Sequence, residues 1–339
     1  MNKSLIAMFT IAALSGCSSP QTEQADKTAP VTAEKTQHPS QGVYELYFTN
    51  ATKFENSAQL LSQQITNKCL SDPQEAKAQW SETMQTWMYL QGGNINVPQA
   101  DALTWKVQFW PDKKDTTGRQ LKSVLSTNPD IGLPDLKNQS ATLQGLTALE
   151  WLLYEPQLDQ DRCSLATTVS ASLVDTSVSY KQSLLTNPWK GLSQAQWEKQ
   201  YLSLVSDKLD RMSKKLSLPL ANLGNPRPYF AESWRSQVSY QNLYSNLVAL
   251  DELLHAENGL MTLLEAKDPR LSTLIASTLS DTIATWPKED SLFESIQTKQ
   301  GYKLALSQLN KIDQLKYLIN EQAAQELGIV VGFNSTDGD

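Results

Sequence analysis

The chain has 339 residues, of which 40% are hydrophobic and only 14 are glycine. This length and composition suit a mostly helical globular protein of roughly two domains. The formal net charge is −7, and an acidic body repels polyanions, which excludes nucleic acid as the expected partner but leaves cations open as ligands.

The first 17 residues read as an export signal. Lys3 precedes an apolar run over residues 5–14, which is too short to span a bilayer. The sequence Leu-Ser-Gly-Cys that ends at Cys17 is typical of a bacterial lipobox, in which the cysteine becomes lipidated. The residue after Cys17 is Ser18 and not aspartate. By resemblance to sorted lipoproteins, the absence of aspartate at this position favours the outer membrane over the inner membrane, with the body in the periplasm.

Residues 18–41 are rich in Ser, Thr, Gln, Pro, Lys and Glu and contain no aromatic residue. Such a segment cannot bury enough apolar surface to fold, so we predict a disordered tether. His38 lies in it and is therefore a weak candidate for any site. Folded structure should begin near Gly42.

From that point apolar residues recur every three or four positions, which predicts amphipathic helices. No alternating strand pattern occurs, so the predicted class is all-α, with two packed helical-bundle domains at residues 42–217 and 218–330 and a loose tail at 331–339. The predicted helices cover residues 43–69, 73–91, 118–126, 142–154, 162–185, 193–216, 229–264, 268–286 and 301–327.

Two cysteines remain after the export signal, Cys69 and Cys163. An even number of cysteines in a chain that enters an oxidising compartment predicts a disulfide between them. It would tie the end of the first long helix to the segment after the helix at 142–154. The alternative is two free, buried thiols.

The helix at 145–154 is the first candidate for a site. Its buried stripe consists of Leu146, Leu149 and Leu153. Side chains three or four residues apart lie on the same face of a helix. A second face, next to the leucine stripe, therefore carries one carboxylate between side chains that have polar ends. The alternative is an ordinary helix whose carboxylate is solvated or salt-bridged. That neighbouring face consists of Thr147, Glu150, Trp151 and Tyr154.

An aromatic-rich, irregular region at residues 96–138 precedes this helix. Long ordered loops are often functional, so Trp110 is a candidate pocket wall and Arg119 could pair with Glu150 or bind a ligand carboxylate. The alternatives are aromatic side chains that only cap the end of a bundle, and a structural salt bridge for Arg119.

Two further residues lie in the second half of the chain. Arg235, near a predicted helix start, could face the domain interface, or it could be a solvated helix residue. His255 follows Asp251 by four positions, which predicts a surface ion pair more readily than a ligand role.

The run from Gly145 to Glu150, followed by apolar residues and Tyr154, resembles the G-x-H-x-x-E signature of the imelysin family. Trp110-Pro111-Asp112, Gly118-Arg119 and the lipobox also resemble imelysin-like envelope lipoproteins, including relatives of iron-regulated protein A. The resemblance covers residues 42–328. It implies two bundle-like helical domains with a site between them, an envelope location, and a link to iron or haem uptake.

Some members of this family are filed as metallopeptidases because their His-x-x-Glu pair was read as a metal site. Here Thr147 stands at the histidine position, and a hydroxyl is a far weaker zinc ligand than an imidazole. The predicted folded body has one histidine, His255, so the usual catalytic zinc ligands are missing. Carboxylates could still hold iron or another oxygen-liganded ion, with Glu150 as the best candidate.

The sequence therefore predicts a lipid-anchored, non-catalytic binding or accessory component of iron or haem acquisition, which works with other envelope iron-uptake proteins and has no catalytic residue. One alternative is a degenerate metal-dependent peptidase. Another is a structural envelope protein that binds peptidoglycan or another protein. The predicted ligand-binding residues are Glu150, Thr147, Tyr154, Arg119, Trp110 and Arg235.

Overall fold

The computed structural model describes residues 37–93 and 95–329, and within them it contains helices and turns but no β-strand. The predicted all-α class is confirmed. Cys17, the tether as far as residue 36 and the tail from residue 330 lie outside the described residues. The helices are α1 (Gln41–Lys68), α2 (Pro73–Met88), α3 (Pro98–Val107), α4 (Thr116–Thr127), α5 (Leu133–Lys137), α6 (Gly145–Tyr154), α7 (Gln160–Ser183), α8 (Gln194–Leu220), α9 (Ser239–Leu254), α10 (Leu260–Glu265), α11 (Pro269–Ala284), α12 (Leu292–Ser295), α13 (Lys299–Tyr317) and α14 (Ala324–Leu327).

The helices pack in two groups. In the first group α1 lies against α2 and α7, and α6 packs on α2 and α7. In the second group α8 packs on α9 and α13, while α11 joins α10 and α13. The groups meet where α9 contacts α2, and Asn246 donates a hydrogen bond of 2.8 Å to the Met88 carbonyl there. The described residues from His38 onward form one compact unit. The predicted domain division after residue 217 falls inside α8 and stays a prediction.

The predicted disulfide is confirmed. Cys69 at the end of α1 is bonded to Cys163 in the first turn of α7, with the two Cα atoms 5.8 Å apart. Both half-cystines are buried. The bond fixes α7 on α1, and α6 in turn packs on α7.

Several helix starts follow from local sequence. The Asp72 carboxylate accepts a hydrogen bond from the Glu75 N–H, and Pro73 occupies the first turn, as the sequence predicted. Ser193 and Gln196 form a reciprocal capping box at the start of α8. These caps satisfy backbone N–H groups that have no partner inside the helix.

The single helix predicted over residues 229–264 is wrong. A 3-10 turn at Pro228–Phe230 is followed by irregular backbone, then by α9, a break and α10. Ser233 and Gln237 have φ angles of 54° and 62°, which no α-helix accommodates. The Ser239 hydroxyl donates to the Glu232 carbonyl at 2.6 Å, so side chains replace helical hydrogen bonds in this stretch.

Other differences are smaller. The region predicted to be irregular contains α3 and α5 as well as α4. His38 was assigned to the tether, yet its ring nitrogen Nε2 hydrogen-bonds to the Leu192 carbonyl at 3.0 Å. A π-helix at Leu318–Ala323 joins α13 to α14 along the predicted last helix. Among the described helices, none is both long and apolar enough to cross a membrane.

Candidate functional site

A cavity of about 560 Å³ lies beside α6. Its walls come from three stretches that are distant in sequence: α6, the segment at residues 108–115, and the irregular segment at residues 229–235. Trp80 and Met84 of α2 also line it. A cavity of this volume, which combines aromatic walls with a few charged groups, has the size and character of a small-molecule site.

Glu150 is buried in the wall of this cavity. Its Oε1 accepts hydrogen bonds from the backbone N–H of Ser236 at 2.9 Å and from the Ser236 hydroxyl at 2.8 Å. Burial raises the pKa of the Glu150 carboxyl above its ordinary value of 4.5, although Ser236 and Arg235 act in the opposite direction. The carboxyl therefore keeps its proton to a higher pH than a solvated glutamate.

Thr147 and Tyr154 share the α6 face with Glu150 but differ in what they reach. Thr147 lines the cavity, and its hydroxyl donates to the Phe109 carbonyl at 3.2 Å. Tyr154 does not line the cavity. Its hydroxyl donates to the Lys77 carbonyl at 2.9 Å, and its ring packs edge-on against Trp80. Tyr154 therefore holds α6 against α2.

Arg235 joins the three stretches that form the cavity. Its Nε lies 2.7 Å from Glu155 Oε1, and its Nη2 lies 3.0 Å from Asp115 Oδ1. The guanidinium lies 4.1 Å from the ring centroid of Trp234. With 12% of its side chain exposed, Arg235 is not the solvated helix residue that the sequence left open.

The other predicted arginine lies elsewhere. Arg119 is exposed and does not line the cavity, and the one hydrogen bond that its side chain makes to another described residue is a 3.5 Å bond to the Thr116 hydroxyl. In the part of the chain that the structure describes it forms no ion pair with Glu150, whose Oε1 accepts hydrogen bonds from Ser236. The pair between Arg119 and Glu150 is therefore not formed, and the other role predicted for Arg119, binding of a ligand carboxylate, stays a prediction.

The tryptophan-proline segment is built into the wall. Trp110 lines the cavity, and the Arg211 guanidinium lies 5.0 Å from its ring centroid. The peptide bond between Trp110 and Pro111 is cis. The Asp112 carboxylate accepts hydrogen bonds from the backbone N–H groups of Thr116 and Thr117 at 2.7 and 2.8 Å. Asp112 thus stabilises the start of α4.

Gly145, the first residue of the signature, is required by the backbone. Its φ angle is +72°, and a Cβ atom there would collide with the carbonyl oxygens of Lys106 and Val107. The Trp80 indole N–H also donates to the Leu146 carbonyl at 2.9 Å. These contacts set the position of α6 and hence of Glu150.

Sequence reasoning missed a buried ion pair in the wall of the cavity, which Glu232 lines. Lys215 Nζ lies 2.7 Å from Glu232 Oε2, and both side chains are almost fully buried. Gln91 and Gln108 donate to the other oxygen of Glu232 at 2.9 and 2.8 Å. Ser236 was missed as well, because its stretch read as a helix. The sequence feature that could have indicated both is the cluster of polar residues at 232–236.

The donor set does not fit a bare metal ion. Within residues 37–93 and 95–329, no three His, Cys, Asp or Glu side chains are arranged to hold one. Thr147 and Asp112 are committed to backbone partners, and Glu232 is committed to Lys215. His255 forms the predicted surface pair, with Nδ1 lying 3.2 Å from Asp251 Oδ1.

The pKa of Glu150 gives a testable prediction. A carboxyl whose pKa is raised on folding contributes stability that is present below pH 4.5 and is lost as pH rises through its folded-state pKa. Glu150→Gln removes this titration. The free energy of unfolding of Glu150→Gln minus that of the wild type should therefore increase as pH rises from 4 to 7. Urea denaturation at each pH measures both values. Glu265→Gln, at an exposed site, is the control, and parallel profiles for wild type and Glu150→Gln would contradict the assignment.

These features define an all-α protein in which a signature helix lines a ligand-sized cavity that is completed by two irregular segments. The chain belongs to the imelysin family, whose model matches residues 41–319. No curated protein matches it.

Two solved structures share the fold. An imelysin-like protein from Psychrobacter arcticum 273-4 is 20% identical, with a TM-score of 0.74 over 85% of this chain and 94% of that one. An iron-regulated protein A precursor from Parabacteroides distasonis ATCC 8503 is 14% identical, with a TM-score of 0.55 over 81% of this chain and 90% of that one.

Proposed function

We propose that this chain is a non-catalytic, ligand-binding member of the imelysin family that serves iron or haem acquisition at the bacterial envelope. It is held in the outer membrane by lipid on Cys17, with the body in the periplasm, and works with other envelope iron-uptake proteins. The cavity beside Glu150 captures the ligand. The side chains that contact the ligand are those of Glu150, Thr147, Trp110 and Arg235, which all line that cavity.

The observation that carries this proposal is the replacement of the signature histidine by a threonine whose hydroxyl is already bound to Phe109. A metallopeptidase needs an ion that activates water, and the described donor set does not supply its ligands. The aromatic and charged walls of a cavity of about 560 Å³ instead favour an organic ligand. We therefore propose haem or a ferric chelate as the ligand, and not the free ion.

The link to iron is supported by the name of one structural relative, the iron-regulated protein A precursor. The envelope location is supported by the export signal and lipobox that end at Cys17. Metabolic labelling with palmitate should mark the wild-type chain and leave Cys17→Ser unlabelled. Labelling of that variant would argue against the anchor.

The function is tested by calorimetric titration of the full chain with haem, ferric citrate, Zn²⁺ and Ca²⁺. We expect haem or ferric citrate to bind, and Glu150→Gln to weaken binding by roughly tenfold or more, because a hydrogen bond to a charged group is lost. Asp175→Asn, at an exposed ion pair that does not line the cavity, should bind as the wild type does. Zinc-dependent peptide cleavage that Glu150→Gln abolishes would favour the peptidase. Absence of any binding would favour a structural role.

A further inference from the structure

A second cavity, of about 240 Å³, lies between α3, the end of α2 and α8. It is lined by Gln91, Asp101, Trp105, Gln108 and Arg211, together with Trp87 and the Gly92-Gly93 turn. Its volume is below the range of drug-sized sites and suits a molecule of a few heavy atoms. The imelysin signature contributes no residue to it.

Arg211 brings an unused donor to this cavity. Its Nε is buried and has no hydrogen-bond partner among the described residues. One guanidinium nitrogen, Nη2, donates to the Trp110 carbonyl at 3.4 Å. No carboxylate in the described part of the chain forms an ion pair with Arg211. A guanidinium has five N–H donors and binds carboxylates well, so this one has capacity for an anionic partner.

Gln91 brings an unused acceptor. Its amide nitrogen donates to Glu232 at 2.9 Å and also to Gln108, which fixes the orientation of the amide group. Its Oε1 is buried and has no partner among residues 37–93 and 95–329. Buried polar atoms are nearly always hydrogen-bonded in native proteins, so an unpaired donor and an unpaired acceptor on one cavity point to a polar occupant.

Asp101 adds a negative charge to the same cavity. Its side chain is half-buried, and burial raises the pKa of its carboxyl. No hydrogen bond or ion pair from another described residue reaches that carboxylate. Arg211 and Asp101 thus line one small cavity with opposite charges and do not contact each other. A single water molecule can satisfy hydrogen bonds, but it neutralises neither charge.

We propose that this cavity is a binding site for a small zwitterion of the amino-acid class. The ligand carboxylate is bound by the Arg211 guanidinium, and the ligand ammonium group is bound by Asp101 and by Oε1 of Gln91. Trp105, whose side chain is half exposed at the cavity, covers a short apolar group on the ligand. The two cavities share Gln108 in their walls but none of the proposed ligand contacts, so either proposal can fail without the other.

The test is calorimetric titration of the full chain with the standard amino acids, with propionate and ethylamine as probes that each carry one of the two charges. We expect at least one amino acid to bind more tightly than both probes. Asp101→Asn should weaken its binding by roughly tenfold or more and leave propionate binding unchanged, because only the ammonium partner is lost. Arg211→Gln should weaken both amino-acid and propionate binding.

Lys267→Met, at an exposed position away from the cavity, is the control and should bind as the wild type does. If Arg211→Gln impairs folding because the contacts of Arg211 with Trp110 are lost, Asp101→Asn alone still tests the site. Absence of binding by every amino acid would mean that the cavity holds water only, and would overturn the proposal. Binding that neither Asp101→Asn nor Arg211→Gln changes would place the amino acid elsewhere and would overturn it equally.

Discussion

Lys215→Met is expected to lower the free energy of unfolding by about 3–5 kcal/mol, because it leaves a buried carboxylate without its counter-charge. Lys215 Nζ lies 2.7 Å from Glu232 Oε2, and the two side chains are 1% and 3% exposed. Methionine fills a similar volume, so the loss reports the charge and not a cavity. Urea denaturation at pH 7 measures it.

The matched control is Lys137→Met. Lys137 forms an ion pair of 2.8 Å with Asp175, but both side chains are nearly half exposed, so the expected loss is at most about 1 kcal/mol. In the double variant Lys215→Met/Glu232→Met, much of the lost stability should return, since no buried charge then remains unpaired. Equal losses for Lys215→Met and Lys137→Met would show that Glu232 gains its counter-charge or its solvation in another way.

The features that were predictable from sequence depend on residues close together in the chain. The position of α6 follows from the spacing of its leucines, and the start of α2 follows from Asp72 and Pro73. The disulfide was predicted from the count of cysteines and from the predicted export signal. Thr147, Glu150, Trp110 and Arg235 were selected from sequence, and all four line one cavity. Whether they bind a ligand there remains a prediction.

The features that sequence reasoning missed depend on contacts between distant segments. Glu150 and Ser236 are 86 positions apart, and nothing local to either residue indicates that they meet. Apolar spacing continues through residues 229–264, so periodicity alone predicted one helix. The break arises because the Glu232 side chain is drawn inward to Lys215 and the Ser239 hydroxyl binds the Glu232 carbonyl. A buried charge outweighed a weak local preference for helix.

Tyr154 shows the limit of reasoning from a shared helix face. It lies four residues after Glu150, so the two side chains point in similar directions. Glu155, the next residue, lines the cavity, but Tyr154 does not, because its side chain packs on α2 and its hydroxyl donates to the Lys77 carbonyl. Helical spacing identifies a face, and only the packing of neighbouring helices determines how much of that face a ligand can reach.

Replacement of both half-cystines, in Cys69→Ala/Cys163→Ala, is expected to lower the free energy of unfolding by about 2–5 kcal/mol. The bond joins residues 94 positions apart, and a crosslink across a long stretch of chain removes many conformations from the unfolded state. Urea denaturation with and without a reductant measures the effect. Reductant should destabilise the wild type by a similar amount and leave the double variant unchanged. If the double variant unfolds at the same urea concentration as the wild type, packing of α1 on α7 is sufficient to hold these helices without the bond.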